Sequence, residues 1–226
     1  MSEDIPRSAY QLAQQLGDGL MDPADLSPSA TALVESIRAL TAAAVATDLD
    51  DPDRQRIAGE VDRLTGQLRS TVREPVILLG RHGDGRIENL TQAGSGRLNP
   101  HAPPVVFEPI TLPDPEATPL AVEVVGRCVL TEAHSGPPAS AHGGVLATLL
   151  DETSGLAATA AGASGLTAGL NLSYKAATPL HEPLIVRARY VRSEGRKRFA
   201  TGEVVVGDTV TATGEGVFIS PGEPSR

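Results

Sequence analysis

The stretch Ala141-His142-Gly143-Gly144-Val145-Leu146-Ala147-Thr148-Leu149-Leu150-Asp151-Glu152 decides how the chain is read. From Gly143 onward the apolar residues recur at helical spacing. On a helical wheel Val145, Leu146, Leu149, Leu150, Thr153, Leu156 and Ala157 fall on one side and need a partner surface. The opposite side carries Gly144, Ala147, Thr148, Asp151, Gly155 and Ala158. A solvated face would show Lys, Glu and Arg instead. Small residues permit close approach of another backbone or a thin ligand. A carboxylate among them needs a polar partner or a job, because an unpaired buried charge is costly.

The start of this helix adds a second element. His142-Gly143-Gly144 leaves backbone N–H groups unpaired at the positive end of the helix dipole. Glycine lets a ligand oxygen approach those donors. Such donors stabilise a carbonyl oxygen as it becomes an oxyanion, an effect of roughly 3–4 kcal/mol per donor. Asp151 follows about 12 Å further along the helix axis, too far for both groups of one helix to act on one carbonyl carbon. A symmetric dimer that pairs Gly143 of one copy with Asp151 of the other meets the distance. Singly, each feature has an ordinary reading, since Gly-Gly is often a tight turn and a lone Asp is often solvated. Their combination with the small-residue stripe points to a site.

Working outward, strand-like runs flank the helix: Val105–Phe107 and Leu120–Leu130 before it, then Gly169–Tyr174, Leu184–Arg192, Arg198–Val206 and Val210–Ile219. Several alternate, as in Ala121-Val122-Glu123-Val124. Glu194-Gly195 and Gly207-Asp208 fit hairpin turns. One helix followed by four consecutive strands predicts an antiparallel sheet packed on a helix, an α+β fold. Val76–Leu79 fits a short strand, and residues 80–104, rich in Gly, Asn and Pro, read as loop.

Residues 1–75 differ in texture, with seven Arg, no Lys and thirteen acidic residues, a net charge of −6. Ser29 to Ala46 reads as a helix with Leu33, Ile37 and Leu40 on one face. Asp50-Asp51-Pro52 offers an N-cap and an N1 proline to a second helix striped with Ile57, Val61, Leu64 and Leu68. The division expected is a helical hairpin over 1–75, with faces that need cover, and an α+β domain over 76–226.

The formal net charge of −9 argues against non-specific binding to nucleic acid or an anionic membrane. The only cysteine, Cys128, forms no intrachain disulfide and fits a reducing compartment; in an apolar strand it reads as core. The opening MSEDIPRSAY lacks an apolar leader core, and the nearly uncharged stretch Thr153 to Ser173 is too rich in Gly, Ala, Ser and Thr to span a bilayer. A soluble cytoplasmic protein is expected. His82, His101, His134 and His181 show no metal-ligand spacing, so no metal site is expected. Gly83-Asp84-Gly85 and Gly94-Ser95-Gly96 read as turns, not as a phosphate-binding loop. Glu152 points about 100° away from Asp151 around the helix and is the weaker base candidate.

The HGG…D stretch, the run Thr167-Ala168-Gly169-Leu170-Asn171-Leu172-Ser173-Tyr174-Lys175, Glu194-Gly195-Arg196-Lys197 and Gly136-Pro137-Pro138 resemble the PaaI-like branch of hotdog-fold acyl-CoA thioesterases. They are similar in particular to the mitochondrial acyl-coenzyme A thioesterase-like proteins. The resemblance covers roughly residues 100–220. It implies a hotdog fold, an antiparallel sheet wrapped around one central helix, preceded here by the N-terminal helical extension. It implies a homodimer, with a tetramer as the larger alternative, and active sites at the dimer interface. It implies Gly143 as oxyanion N–H donor, His142 shaping the turn, Asp151 as general base or nucleophile, and Thr167 positioning the water. Gly144, Asn171, Arg196 and Lys197 are the substrate-binding candidates. Coenzyme A enters as part of the acyl-CoA substrate, and no other cofactor is implied. One departure is that many relatives carry Asn six residues before the HGG histidine, where this chain has Gly136.

Arg187, Arg189, Arg192, Arg196, Lys197 and Arg198 form the dense basic cluster. It reads equally as a grip on coenzyme A phosphates or as a solvated strand pair. The competing function is a non-catalytic acyl-CoA sensor, since some hotdog proteins regulate transcription through an added N-terminal segment. The net −6 of residues 1–75 argues against DNA contact. A hotdog dehydratase would need an Asp–His pair of its own motif, which is not found.

Overall fold

The computed structural model describes residues 20–110 and 122–220, together with Ala13 and Gly17. The opening decapeptide, Leu120 and Ala121 lie outside the described residues. Two helices come first, α1 (Pro28–Ala46) and α2 (Asp51–Arg69). The Ser27 hydroxyl caps α1 by accepting from the Ser29 N–H at 3.3 Å, and Asp50 caps α2 by accepting from the Asp53 N–H at 3.0 Å. A small antiparallel pair follows, β1 (Leu79–Arg81) with β2 (Ile87–Asn89). Then come β3 (Val106–Phe107), β4 (Glu123–Val129), the helix α3 (Gly143–Ala160), and four strands: β5 (Leu166–Tyr174), β6 (Pro183–Glu194), β7 (Lys197–Val206) and β8 (Thr209–Ile219).

The main sheet is antiparallel with order β3-β4-β6-β7-β8-β5. Alternation decides its faces. Along β6, Leu184, Val186, Ala188 and Tyr190 are buried and the residues between them are not. β4 does the same with Val124 and Cys128. α3 lies on the buried face, where Leu146, Leu149 and Leu150 meet Leu130, Leu184, Val186, Val204 and Ala212. The approach is close because the sheet carries glycine beneath the helix: a Cβ on Gly202 would stand 3.2 Å from the Leu150 side chain. β5, placed after the helix, returns to pair with β8 and ends the sheet.

Burial corrects part of the helical wheel. Ala158 belongs to the core beside Ala163, Tyr190, Ala200 and Phe218, and Ser154 is also buried, whereas Val145 and Leu156 are only half-buried. Residues 80–104 are also more than loop. They hold β1, β2 and the buried Leu90 and Ala102. The expected strand at Val76–Leu79 begins only at Leu79, with Val76 and Ile77 exposed. Met21 bridges Gly80, so chain from before α1 lies along β1.

The helices of the N-terminal part fall where the sequence places them, but the face of α1 differs. Leu33 and Leu40 point to solvent, while Val34 is 4% exposed. Arg38 decides the orientation. Its Nη2 donates to the Asn99 and Ala102 carbonyls at 3.4 and 3.0 Å, and its Nη1 to Glu35 at 2.8 Å. Two loop carbonyls thereby find a charged donor, which outweighs exposing two leucines. α1 is long and apolar enough to cross a membrane by length and composition. Its two charges, Glu35 and Arg38, are engaged in these contacts. No residue of α2 is buried, and Leu64 and Leu68 are 45% and 51% exposed.

Replacing Arg38 with Met keeps the aliphatic stem and removes the fork. Urea unfolding is expected to show a loss of about 1.5–3 kcal/mol, and limited proteolysis to cut first around α1.

Candidate active site

The site starts at the N-terminus of α3. His142 is its N-cap, and the imidazole Nδ1 accepts from the Gly144 N–H at 2.9 Å. The Gly144 donor is therefore occupied, and the N–H of Gly143 has no acceptor among the described residues. The Gly143 carbonyl is held from the sheet, since the Tyr174 hydroxyl donates to it at 2.9 Å. A Cβ on Gly143 would stand 3.0 Å from the Tyr174 ring, a tight contact that the ring would have to yield to. The His142 N–H donates to the His134 carbonyl at 2.8 Å. Gly136 is pressed against His142, where a Cβ would come within 2.6 Å of the His142 Cα. The missing upstream Asn thus has a local cause: at this backbone position no side chain fits.

Asp151 is half-buried two turns along α3, and its Oδ1 accepts from the Thr167 hydroxyl at 2.9 Å. A bulge makes this pair. The register of β5 on β8 shifts between Thr167 and Gly169, which brings Thr167 to the helix side with Leu172 and Tyr174. Without the extra residue, odd-numbered Thr167 would share the outer face with Asn171. Within one chain Gly143 and Asp151 stay about 12 Å apart along the axis.

The remaining candidates are scattered. Asn171 lies on the outer face of the sheet, paired in register with Glu215, and the structure does not bring it to Gly143 or Asp151. Gly144 is next to the site, but its donor is satisfied. Arg196, in the β6–β7 turn, donates through Nε and Nη2 to the Ser220 carbonyl, and Lys197 opens β7. Most of the basic cluster has local work: Arg187 pairs with Glu203, Arg192 with Glu194 and the Phe199 ring, and Arg198 with the Gly195 and Lys197 carbonyls. Cys128 is buried, and burial pushes its thiol up to about 12, so it stays protonated core.

The sequence reading missed a role for Tyr174 and the surroundings of Glu152, read there as the weaker base candidate. Tyr174 was visible only as part of a strand, although its spacing from Leu172 puts it on the helix side. Glu152 is mostly enclosed. Its Oε2 accepts from Gln92 at 2.6 Å and from Ser95 at 3.1 Å, and a Cβ on Gly94 would overlap the carboxylate. Burial and then the neighbouring Asp151 charge raise its carboxyl above the ordinary 4.5, against the two hydrogen bonds. No signal near Gln92–Ser95 marks them as partners of a residue sixty positions away.

An α+β protein has here a helix wrapped by an antiparallel sheet, with a free N–H at the helix start and a hydroxyl-bound carboxylate further along. Residues 139–215 match the thioesterase superfamily model. The acyl-coenzyme A thioesterase THEM4 of Mus musculus is 39% identical over 66 residues, covering 29% of this chain and 28% of that protein. THEM4 of Rattus norvegicus is 34% identical over 93 residues, covering 39% and 40%. The chain thus spans well under half the length of the curated relatives it matches. A solved thioesterase superfamily protein superposes with a TM-score of 0.73 at 29% identity, covering 89% of this chain and 95% of that one. The segment that carries α3 and most of the sheet is thus similar to the thioesterase superfamily, and the chain has the hotdog fold.

Two outcomes test this geometry. Gly136→Asn is expected to destabilise the protein by about 1–3 kcal/mol, measured by thermal or urea unfolding, and not to act as a restored donor. Glu152→Gln probes the raised carboxyl. The folded protein holds that proton more tightly than the unfolded chain, so wild-type stability falls as pH rises from near 4.5 through the raised value and is level above it. Urea unfolding from about pH 4 to about pH 7 should show the variant gaining on wild type as pH rises.

Proposed function

We propose that this protein hydrolyses acyl-coenzyme A thioesters to the free acid and coenzyme A, and that it works as a homodimer. The observation that carries the reading is the Asp151 carboxylate, held through one oxygen by Thr167 at 2.9 Å and with its other oxygen unengaged among the described residues. The family match and the acyl-coenzyme A thioesterase names of the relatives support the substrate class.

In this reading the Gly143 N–H donates to the thioester carbonyl oxygen. Asp151 takes a proton from a water that Thr167 orients, and the water oxygen bonds to the carbonyl carbon. The C=O electron pair moves onto oxygen, where the Gly143 donor and the helix dipole stabilise it. Collapse breaks the C–S bond, and the sulfur takes up the proton from Asp151. The nucleophile alternative has the carboxylate attack the same carbon and expel coenzyme A thiolate; water then cleaves the resulting anhydride, returning Asp151 and supplying the proton that the thiolate takes up. Arg196 and Lys197 face the coenzyme A phosphates, and coenzyme A is substrate, not cofactor.

Two copies supply the site. Among the described residues nothing pairs with the outer edge of β5, nine residues long, and it carries no Lys or Pro to discourage pairing. Antiparallel pairing through that edge sets the two α3 helices head to tail. Gly143 of one copy then approaches Asp151 of the other, which removes the 12 Å gap of a single helix.

Hydrolysis of short, long and aryl acyl-CoAs, followed by release of free thiol, tests the reading. Asp151→Asn is expected to lower kcat by about 10²–10⁴-fold while leaving substrate affinity near wild type. Tight binding of CoA esters with wild type and variant equally inert would favour the non-catalytic sensor instead.

A further inference from the structure

We infer that α1 forms the wall of the acyl-group site and limits which acyl groups this protein accepts. The inference rests on the thioesterase reading. A cleft of about 780 Å³ opens beside the start of α3, a volume within the range of small-molecule sites, about 300–1,000 Å³. Gly144, Val145 and Pro103 line one part of it, and Ala39 and Ala42 of α1 line another. α1 lies outside residues 139–215, the part that matches the superfamily model.

Three observations carry the assignment. First, the cleft reaches His142 and Gly144, the residues that flank the free Gly143 N–H, so a group bound there lies beside a carbonyl whose oxygen sits on that donor. Second, α1 is fixed across the cleft by Arg38, whose bonds to the Asn99 and Ala102 carbonyls set its distance from the loop on the other side. Third, the basic turn lies elsewhere. Lys197 pairs in register with Ile219, and Ile219 with Leu166 at the start of β5, whereas Gly143 is held by Tyr174 at the end of β5. Acyl group and coenzyme A leave a thioester carbon in opposite directions. A cleft of mainly apolar lining next to Gly143, far from the cationic turn of the same chain, fits the acyl arm. Burial holds His134, at the cleft, below its ordinary 6.5, and the Arg38 and Glu35 charges that also line it are paired with each other.

Ala39 and Ala42 are the residues that keep the wall open, since each faces the cleft with a single methyl. Leucine fits a helix nearly as well as alanine, so Ala42→Leu and, separately, Ala39→Leu narrow the cleft without breaking α1. Each full-length variant is compared with wild type on straight-chain acyl-CoAs from acetyl to palmitoyl, with melting curves as the folding control. Expected is a fall in kcat/KM of about tenfold or more for the longest acyl group the wild type accepts, carried by KM. Acetyl-CoA should stay within about twofold of wild type. An unchanged length profile in both variants, or an equal fall at every length, overturns the inference. If Ala42→Leu fails to fold, the exposed Ala39 position decides alone. Wild type inert at every length sinks the thioesterase reading instead, a result distinct from an unchanged profile.

Discussion

The site depends on one hydrogen bond, from the Gly144 N–H to the His142 imidazole. A helix start exposes several donors, and a ligand needs one that no cap has taken. His142 caps the second glycine and leaves the first. Tyr174 then fixes the Gly143 peptide from the far side through its carbonyl. Gly136 lets the His142 backbone sit where it does. Two stretches of chain, 136–144 and Tyr174, thus aim one N–H, with no Cβ at 136, a ring acceptor at 142 and a long hydroxyl donor at 174.

Much of this was legible from the chain. The strands and α3 could be read because burial imposes a period of two on one and 3.6 on the other, and Leu184 to Tyr190 keeps its alternation cleanly. Asp151 stood out because the residues around it are small. What could not be read has a common cause, contact between residues far apart in sequence. The side of α1 that meets the domain was set by loop carbonyls at Asn99 and Ala102, not by its leucines. The packed hairpin within 80–104 hides its apolar residues singly among Gly and Asn. Thr167 faces Asp151 only through a bulge, which no periodicity announces.

Asp151 and Glu152 are neighbours in sequence with opposite fates. A rotation of about 100° leaves one carboxylate half-open with a single hydroxyl partner. It puts the other under Gln92 and Ser95, where burial raises its pKa. The buried one clamps the segment that follows β2 onto α3. That segment supplies Asn99 and Ala102 to Arg38. Glu152 therefore sits in a chain of polar contacts running from the central helix, through the loop, to α1.

That chain explains how a part outside the superfamily match can matter to the site. The sheet and α3 fix the positions of Gly143, Asp151 and Thr167, which in the proposed thioesterase reading are the same whatever the acyl group. The cleft beside them is shaped by polar contacts to α1, with little apolar burial: α1 buries Val34 alone among its residues. An element held by a few directed bonds keeps its distance while its facing side chains stay free to vary. In the proposed reading chemistry and selectivity then reside in separate layers of the same chain, joined at His142.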